Sequence, residues 1–451
     1  MDALLLARLQ FALTVGFHFL FPPITIGLAW LLVVVETLGW RKKDEVYVRI
    51  AKFFGKILGL TFAVGVATGI VMEFQFGTNW AEYSKFVGDI FGAPLAAEGV
   101  FAFFLESGFL GLYLFGRGRV SKGVHWFSAL MVALGATISA FWIIVANSWQ
   151  QTPAGFVVRN GRAELTSFAE AIFNPSTFVR YFHTVDAALI TGAFFMAGIA
   201  AYLILNKKEV VAAKKAMTIA VVFGLIVSIL EVLPSGHEHA RQVARTQPEK
   251  FAAIEGLYTS QTSAPLVLFA VPTQMPPELK GKIEISGLLS WMAFGDVNAH
   301  IKGLNEFPAD AIPPLWLTFV SFHNMVVLGV YFILLMAVAA FHLYRGTLWD
   351  RPKLLKLMLW SMPLPLIACQ LGWIAAEVGR QPWIVYGLLR TSQAASITVS
   401  AGEILFSIIL FGLVYLALGA LYIYLLARKV KQGPEPAQGK PTFGFEKEVI
   451  A

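Results

Sequence analysis

Charge is scarce in this sequence. Asp, Glu, Lys and Arg make up 14% of its 451 residues, whereas a soluble domain uses about 25% to cover its surface. That shortage excludes an ordinary water-soluble globule. The 57% hydrophobic content and mean hydropathy of +0.67 make lipid the main solvent. Cysteine is nearly absent too. Cys369 stands alone in an apolar stretch, so no internal disulfide, CxxC redox pair, CxxCH haem attachment or Cys-rich metal site can form. No internal repeat is visible. The N-terminal apolar stretch runs far beyond the roughly 7–15 residues of a signal-peptide core, so it is expected to stay as a span. The net charge of +7 does not point to nucleic acid, because the basic residues sit in short loops between apolar runs.

Crossing about 30 Å of hydrocarbon takes about 20 apolar residues. The apolar runs predict spans near 10–38, 53–76, 93–116, 124–148, 182–206, 216–234, 315–343, 355–377 and 402–427, an all-α integral membrane protein of about nine transmembrane helices. Basic residues follow every second span: Arg41, Lys42 and Lys43; Arg117, Arg119 and Lys122; Lys207, Lys208, Lys214 and Lys215; Arg345, Arg351, Lys353 and Lys356; Arg428, Lys429 and Lys431. By the positive-inside rule the N-terminus faces out and the C-terminus faces the cytoplasm. Residues 1–234 then hold spans one to six, 235–314 form a long polar outer loop, 315–432 hold spans seven to nine, and 433–451 read as a cytoplasmic tail. A connection as long as 235–314 is usually functional or disordered.

An ionisable side chain within a span is costly unless partnered, so each one marks a candidate site. These are His18, Glu98, Glu106, His183, Asp186, His323, Glu377 and Arg380, accompanied by Met325 and Trp373. Most fall toward the outer ends of their spans, at one depth. Glu98 and Glu106 are separated by about 12 Å on an α-helix, near one face, where they can relay protons or simply pack as protonated carboxyls. Trp373 and Glu377 are one turn apart, and Arg380 can neutralise Glu377 or hold an anion. His, Met and Glu in a thiol-poor membrane chain fit non-covalent haem: a His/Met pair makes a low-spin electron-transfer site, while a single axial ligand leaves an open face. The same inventory fits a proton-coupled transporter, and periodicity does not separate the two.

Longer signatures do separate them. RLQFALTVGFHFLFPP (8–23), MEFQFGTNW (72–80), GAPLAAEGVFAFFLES (92–107), FWIIVANSWQQTPAG (141–155) and GWIAAEVGRQPW (372–383) resemble subunit I of cytochrome bd-type quinol oxidases over nearly the whole chain. The resemblance implies that His183 and Met325 ligate a low-spin haem b. It implies that His18 and Glu377 are axial ligands of two further haems, a high-spin haem b and a haem d (or a third haem b). Trp373 stands between the low-spin haem and that pair, Arg380 and Arg8 contact propionates, and Glu98 and Glu106, with Ser139, bring protons to the oxygen site. The outer loop resembles the quinol-binding loop of the family. Taken alone, Lys250 and Glu255 read as a solvated pair on a surface helix; within QPEKFAAIEGLYTSQ (247–261) they match the positions linked to quinol oxidation. The implied activity is quinol oxidation at the outer face coupled to O2 reduction to water, with protons taken from the cytoplasm and no pump. A homologous second subunit, and in some members a small accessory subunit, complete such enzymes. Two departures stand out. His323 occupies a position where many relatives carry arginine, and the outer loop is the short form.

Overall fold

The structure is a computed structural model that describes residues 2–274 and 277–435. Most of the tail expected at 433–451 therefore lies outside the described residues. Among the described residues, nine helices are long and apolar enough to cross a membrane: Ala3–Lys42, Glu45–Thr78, Ala81–Phe115, Lys122–Gln151, Thr177–Leu205, Val210–Thr246, Leu315–Tyr344, Pro352–Val378 and Ala401–Gln432. These are referred to as spans one to nine. The all-α membrane architecture expected from hydropathy is what is observed.

Three spans depart from simple helices, each for a local reason. Span one breaks after His18 and restarts at Pro22, because two consecutive prolines at Pro22 and Pro23 have no N–H to donate to the preceding turn. Span three passes through a π-helical stretch at Glu98–Phe103, soon after Pro94. Span six does the same at Glu231–Gly236, around Pro234. The boundary expected at residue 234 is therefore corrected. Pro234 does not end the helix, which continues as His237–Thr246, because the Ser235 hydroxyl lies 3.1 Å from the Leu230 carbonyl and 3.2 Å from that of Glu231. Hydroxyl side chains commonly re-satisfy carbonyls that a membrane proline strands.

Span five is central, with 78% of its most apolar window buried, whereas span nine is peripheral at 11%. Span one meets span five backbone to backbone at Gly27 and Gly192: a Cβ on Gly27 would fall 2.3 Å from the Ala188 carbonyl. Small residues permit this approach, which is how membrane helices gain packing without a hydrophobic driving force. At the ends rich in basic residues, Arg117 pairs with Glu36, Lys215 with Asp44 and Arg49 with Glu209.

In its described residues the long loop forms regular elements. It contains the helix Pro248–Glu255, a hairpin of Leu266–Gln274 against Pro277–Ile285, and the helix Leu288–Phe294. Phe251, Ile254, Leu257, Leu289 and Leu304 bury one another beneath it, with Leu315 at the start of span seven.

Candidate functional site

His18 ends the first half of span one, and its orientation follows from its partner. Nδ1 lies 2.9 Å from the Thr68 hydroxyl. That hydroxyl spends its own hydrogen on the carbonyls of Val64 and Gly65, each 3.0 Å away, so it accepts from His18 and leaves Nε2 with the lone pair. Gly69 makes room for the ring, since a Cβ there would fall 3.1 Å from His18 Cε1.

His183 sits near the start of span five, with Nδ1 3.1 Å from Glu231 Oε1 and the His239 ring 5.1 Å away edge-on. Met325, in span seven, reaches span eight at Gly372, where a Cβ would come within 3.0 Å of its sulfur. The next residue, Trp373, makes an edge contact with Phe19 at 5.2 Å. Trp373 thus touches the neighbour of His18 on one side and adjoins the seat of Met325 on the other. The Arg180 guanidinium lies 5.9 Å from its ring.

One turn on, Glu377 is enclosed by donors. Asn147 and Gln151 reach Oε1 at 3.2 and 3.1 Å, Arg380 donates to Oε2, and Arg180 stands 3.7 Å from Oε1. A carboxylate has about four acceptor positions, so this set leaves capacity for another partner. The Glu377 side chain is 32% exposed while those of Arg180 and Arg380 are 4% and 5% exposed. The Arg380 Nη1 also donates to Gln150 Oε1 at 2.8 Å.

Glu98 and Glu106 both face span four. Ser139 donates to Glu98 Oε1 at 2.7 Å, and Glu106 packs against Gly135, one turn from Ser139. The expectation of a regular α-helical face is corrected, because the π stretch begins at Glu98 and alters the register between the two carboxylates. Glu73 of span two lies near Glu98.

The structure also replaces the solvated picture of Lys250 and Glu255. Both are buried, at 4% and 5% exposure. Lys250 points inward: Nζ donates to the Ala376 carbonyl at 2.9 Å, to Gln151 Oε1 at 3.1 Å and to Gln247 Oε1 at 3.4 Å. Burial, together with the positive charge of nearby Arg180, pushes its ammonium well below the ordinary lysine range. Burial pushes the Glu255 carboxyl up to about 8, and its Oε2 is buried without a partner. No ion pair joins the two residues among the described residues.

Two residues stand apart. Arg8 is exposed. His323 has Nδ1 3.1 Å from the Phe319 carbonyl and Nε2 3.1 Å from that of Val267, so both ring nitrogens face main-chain oxygens. Sequence reasoning overlooked Glu73, Asn147, Gln151, Arg180 and Glu231. The first three lie inside the quoted motifs, and Arg180 is three residues before His183, so their positions were visible although their partners were not.

Do these residues fit iron porphyrin? Among the described residues no three His, Cys, Asp or Glu side chains converge to hold a bare metal ion. A porphyrin supplies four of the iron's donors itself and needs only one or two from the chain. His18 keeps Nε2 for that purpose, and His183 has a ring nitrogen without a hydrogen-bond partner. Nε of Arg180 and of Arg380 are buried without a partner, and an unmet buried guanidinium N–H calls for an acceptor such as a propionate. The donor set fits.

A family model described as cytochrome bd terminal oxidase subunit I matches residues 6–434. The chain is 44% identical over 446 residues to the cytochrome bd ubiquinol oxidase subunit 1 of Bacillus subtilis (strain 168), covering 96% of this chain and 95% of that one. It is 36% identical to the cytochrome bd-II ubiquinol oxidase subunit 1 of Escherichia coli (strain K12), covering 97% and 98%. Among solved structures, the bd oxidase from Geobacillus thermodenitrificans superposes with a TM-score of 0.91 at 32% identity, covering 96% of this chain and 99% of the other.

Proposed function

The chain belongs to the subunit I family of cytochrome bd terminal oxidases, haem-carrying quinol:oxygen oxidoreductases of bacterial membranes that work with a second subunit, and from that premise we propose how its residues divide the work. His183 and Met325 hold a low-spin haem b. His18 and Glu377 hold the two others, a high-spin haem b and a haem d or third haem b. Bound there, the haems supply one-electron transfer from quinol and the four-electron reduction of O2 to water.

The chain's own groups set orientation, insulation and proton access. Thr68 fixes the tautomer of His18. Arg180 and Arg380 hold Glu377 as a carboxylate and offer their free Nε groups to propionates; Arg8, exposed in the chain alone, is a further propionate candidate. Trp373 fills the gap between the Met325 seat and the His18 helix end. At the outer face, Glu255 accepts a quinol proton while Lys250 orients the quinol side of the loop. The released protons leave outward. The protons consumed in water come from the cytoplasm, passing Glu98, Ser139 and Glu106. Charge separation then arises from two half-reactions drawing on different proton pools, without a pump.

The observation that supports this division best is the convergence on Trp373, which brings parts of spans one, five, seven and eight to one junction. The test is spectral. His183→Ala and Met325→Ala should each remove the six-coordinate low-spin spectrum, and its persistence in both would reject the ligand assignment. Pyridine haemochrome analysis, with quinol-dependent oxygen uptake, assigns the haem types.

A further inference from the structure

Span six abandons α-geometry at Glu231–Gly236, and that turn carries Glu231 to His183. π turns are rare and concentrate at functional sites. Pro234 accounts for the loss of one α-helical bond, and Ser235 repairs it through the Leu230 carbonyl. The repair does more than satisfy backbone. The same hydroxyl lies 3.1 Å from Glu231 Oε2 and 2.9 Å from Asp186 Oδ2, the latter one turn beyond His183 on span five.

Glu231 therefore has a polar neighbour at each end. Oε2 shares the single Ser235 hydrogen with Asp186 and the two carbonyls, and Oε1 lies 3.1 Å from His183 Nδ1. That contact falls short of hydrogen-bond geometry, and Nδ1 is buried with no hydrogen-bond partner. Asp186 adds a second carboxylate to the neighbourhood, while Arg180 and His239 flank the imidazole from other sides. Glu231 is 9% exposed within a span, where a carboxylate without partners is costly. A π turn and a buried carboxylate, both unfavourable alone, are spent on one imidazole.

We infer that Glu231 is the positioning residue of the low-spin site, accepting a charge-assisted hydrogen bond from His183 Nδ1–H, locking the ring and leaving Nε2 for iron. This rests on the ligand role proposed for His183. A carboxylate behind an axial histidine fixes its tautomer and raises its basicity, which favours ferric iron and lowers the reduction potential. Glu231 sets that potential from outside the haem's first ring of contacts.

The experiment is an optical redox titration of the low-spin haem in the purified two-subunit oxidase. Glu231→Gln keeps the shape and removes the charge. The expected result is a retained six-coordinate spectrum with a higher midpoint, by about a tenfold change in the ferric-to-ferrous ratio, or about 59 mV for a one-electron couple. A retained spectrum with an unmoved midpoint overturns the inference. If Glu231→Gln fails to assemble, Glu231→Asp decides: charge is kept at a longer reach, so a smaller rise sustains the inference and no rise overturns it. His183→Ala separates this outcome from failure of the ligand reading. Loss of the low-spin spectrum there, with no midpoint shift in Glu231→Gln, sinks only the role of Glu231; persistence of that spectrum sinks the ligand assignment itself.

Discussion

Lys250 and Glu377 share a single amide. Gln151 accepts from Lys250 Nζ at 3.1 Å and donates to Glu377 Oε1 at 3.1 Å. A residue of the long loop and one of span eight are therefore two hydrogen bonds apart. The Ala376 carbonyl adds a second tether between Lys250 and span eight, at 2.9 Å.

Replacing Gln151 by Met keeps the side chain's length and removes both bonds. A buried polar group left short of a partner costs about 1–3 kcal/mol, and about 1.4 kcal/mol is a factor of ten. Gln151→Met should lower kcat/KM for quinol by roughly tenfold and shift the high-spin haem bands. Steady-state oxygen uptake and absorption spectra check this; wild-type kinetics would mean that the link is idle.

The Glu255 carboxyl, pushed up to about 8 by burial, holds its proton more tightly than an exposed glutamate. A general base works in its deprotonated form, so the active fraction grows as pH rises toward 8. Quinol kcat/KM should climb with pH and level off above about 8. Glu255→Gln should be slow at every pH and lose that limb, and an unchanged limb in this variant would assign the titration elsewhere.

Glu98→Gln and Glu106→Gln should retain all haems while turnover falls by at least about tenfold, since a positioned proton-transfer group contributes about 10²–10⁴-fold. Ser139→Ala, which removes the 2.7 Å bond to Glu98, should have a weaker effect of the same kind. Haem content and oxygen uptake, measured side by side, separate a blocked relay from a damaged fold.

His323→Leu tests whether that histidine is a pin or a ligand. Its contacts to Phe319 and Val267 tie span seven to the hairpin strand Leu266–Gln274. The variant should keep every haem band and show faster limited proteolysis within 266–285. Loss of a haem would contradict the assignment of both ring nitrogens to main chain.

Much of the fold was legible because its causes are local. A run of apolar residues long enough to cross hydrocarbon reports a span wherever it occurs, so all nine were located. Span three nonetheless starts at Ala81 and span six runs on to Thr246, well outside the expected bounds. The double proline at Pro22 and Pro23 carries the break behind His18 in the sequence itself. Motif resemblance supplied His18, His183, Met325, Trp373 and Glu377 as candidates because their neighbours in sequence were recognisable. The transporter alternative lost its footing to those longer signatures, and the family match agrees with them.

What the tertiary structure alone decided is who meets whom. Gln151 lies 99 residues from Lys250 and 226 from Glu377, and no periodicity relates such distances. Lys250 and Glu255 have the spacing of a solvated pair, yet the loop's own core buries both. Glu231 reaches His183 because a π turn rotates one segment of span six, a shift that depends on Ser235 finding both a stranded carbonyl and Asp186 on another span. Hydropathy is a property of each residue and its near neighbours; a polar junction in lipid exists only where separate helices bring complementary donors and acceptors to the same depth.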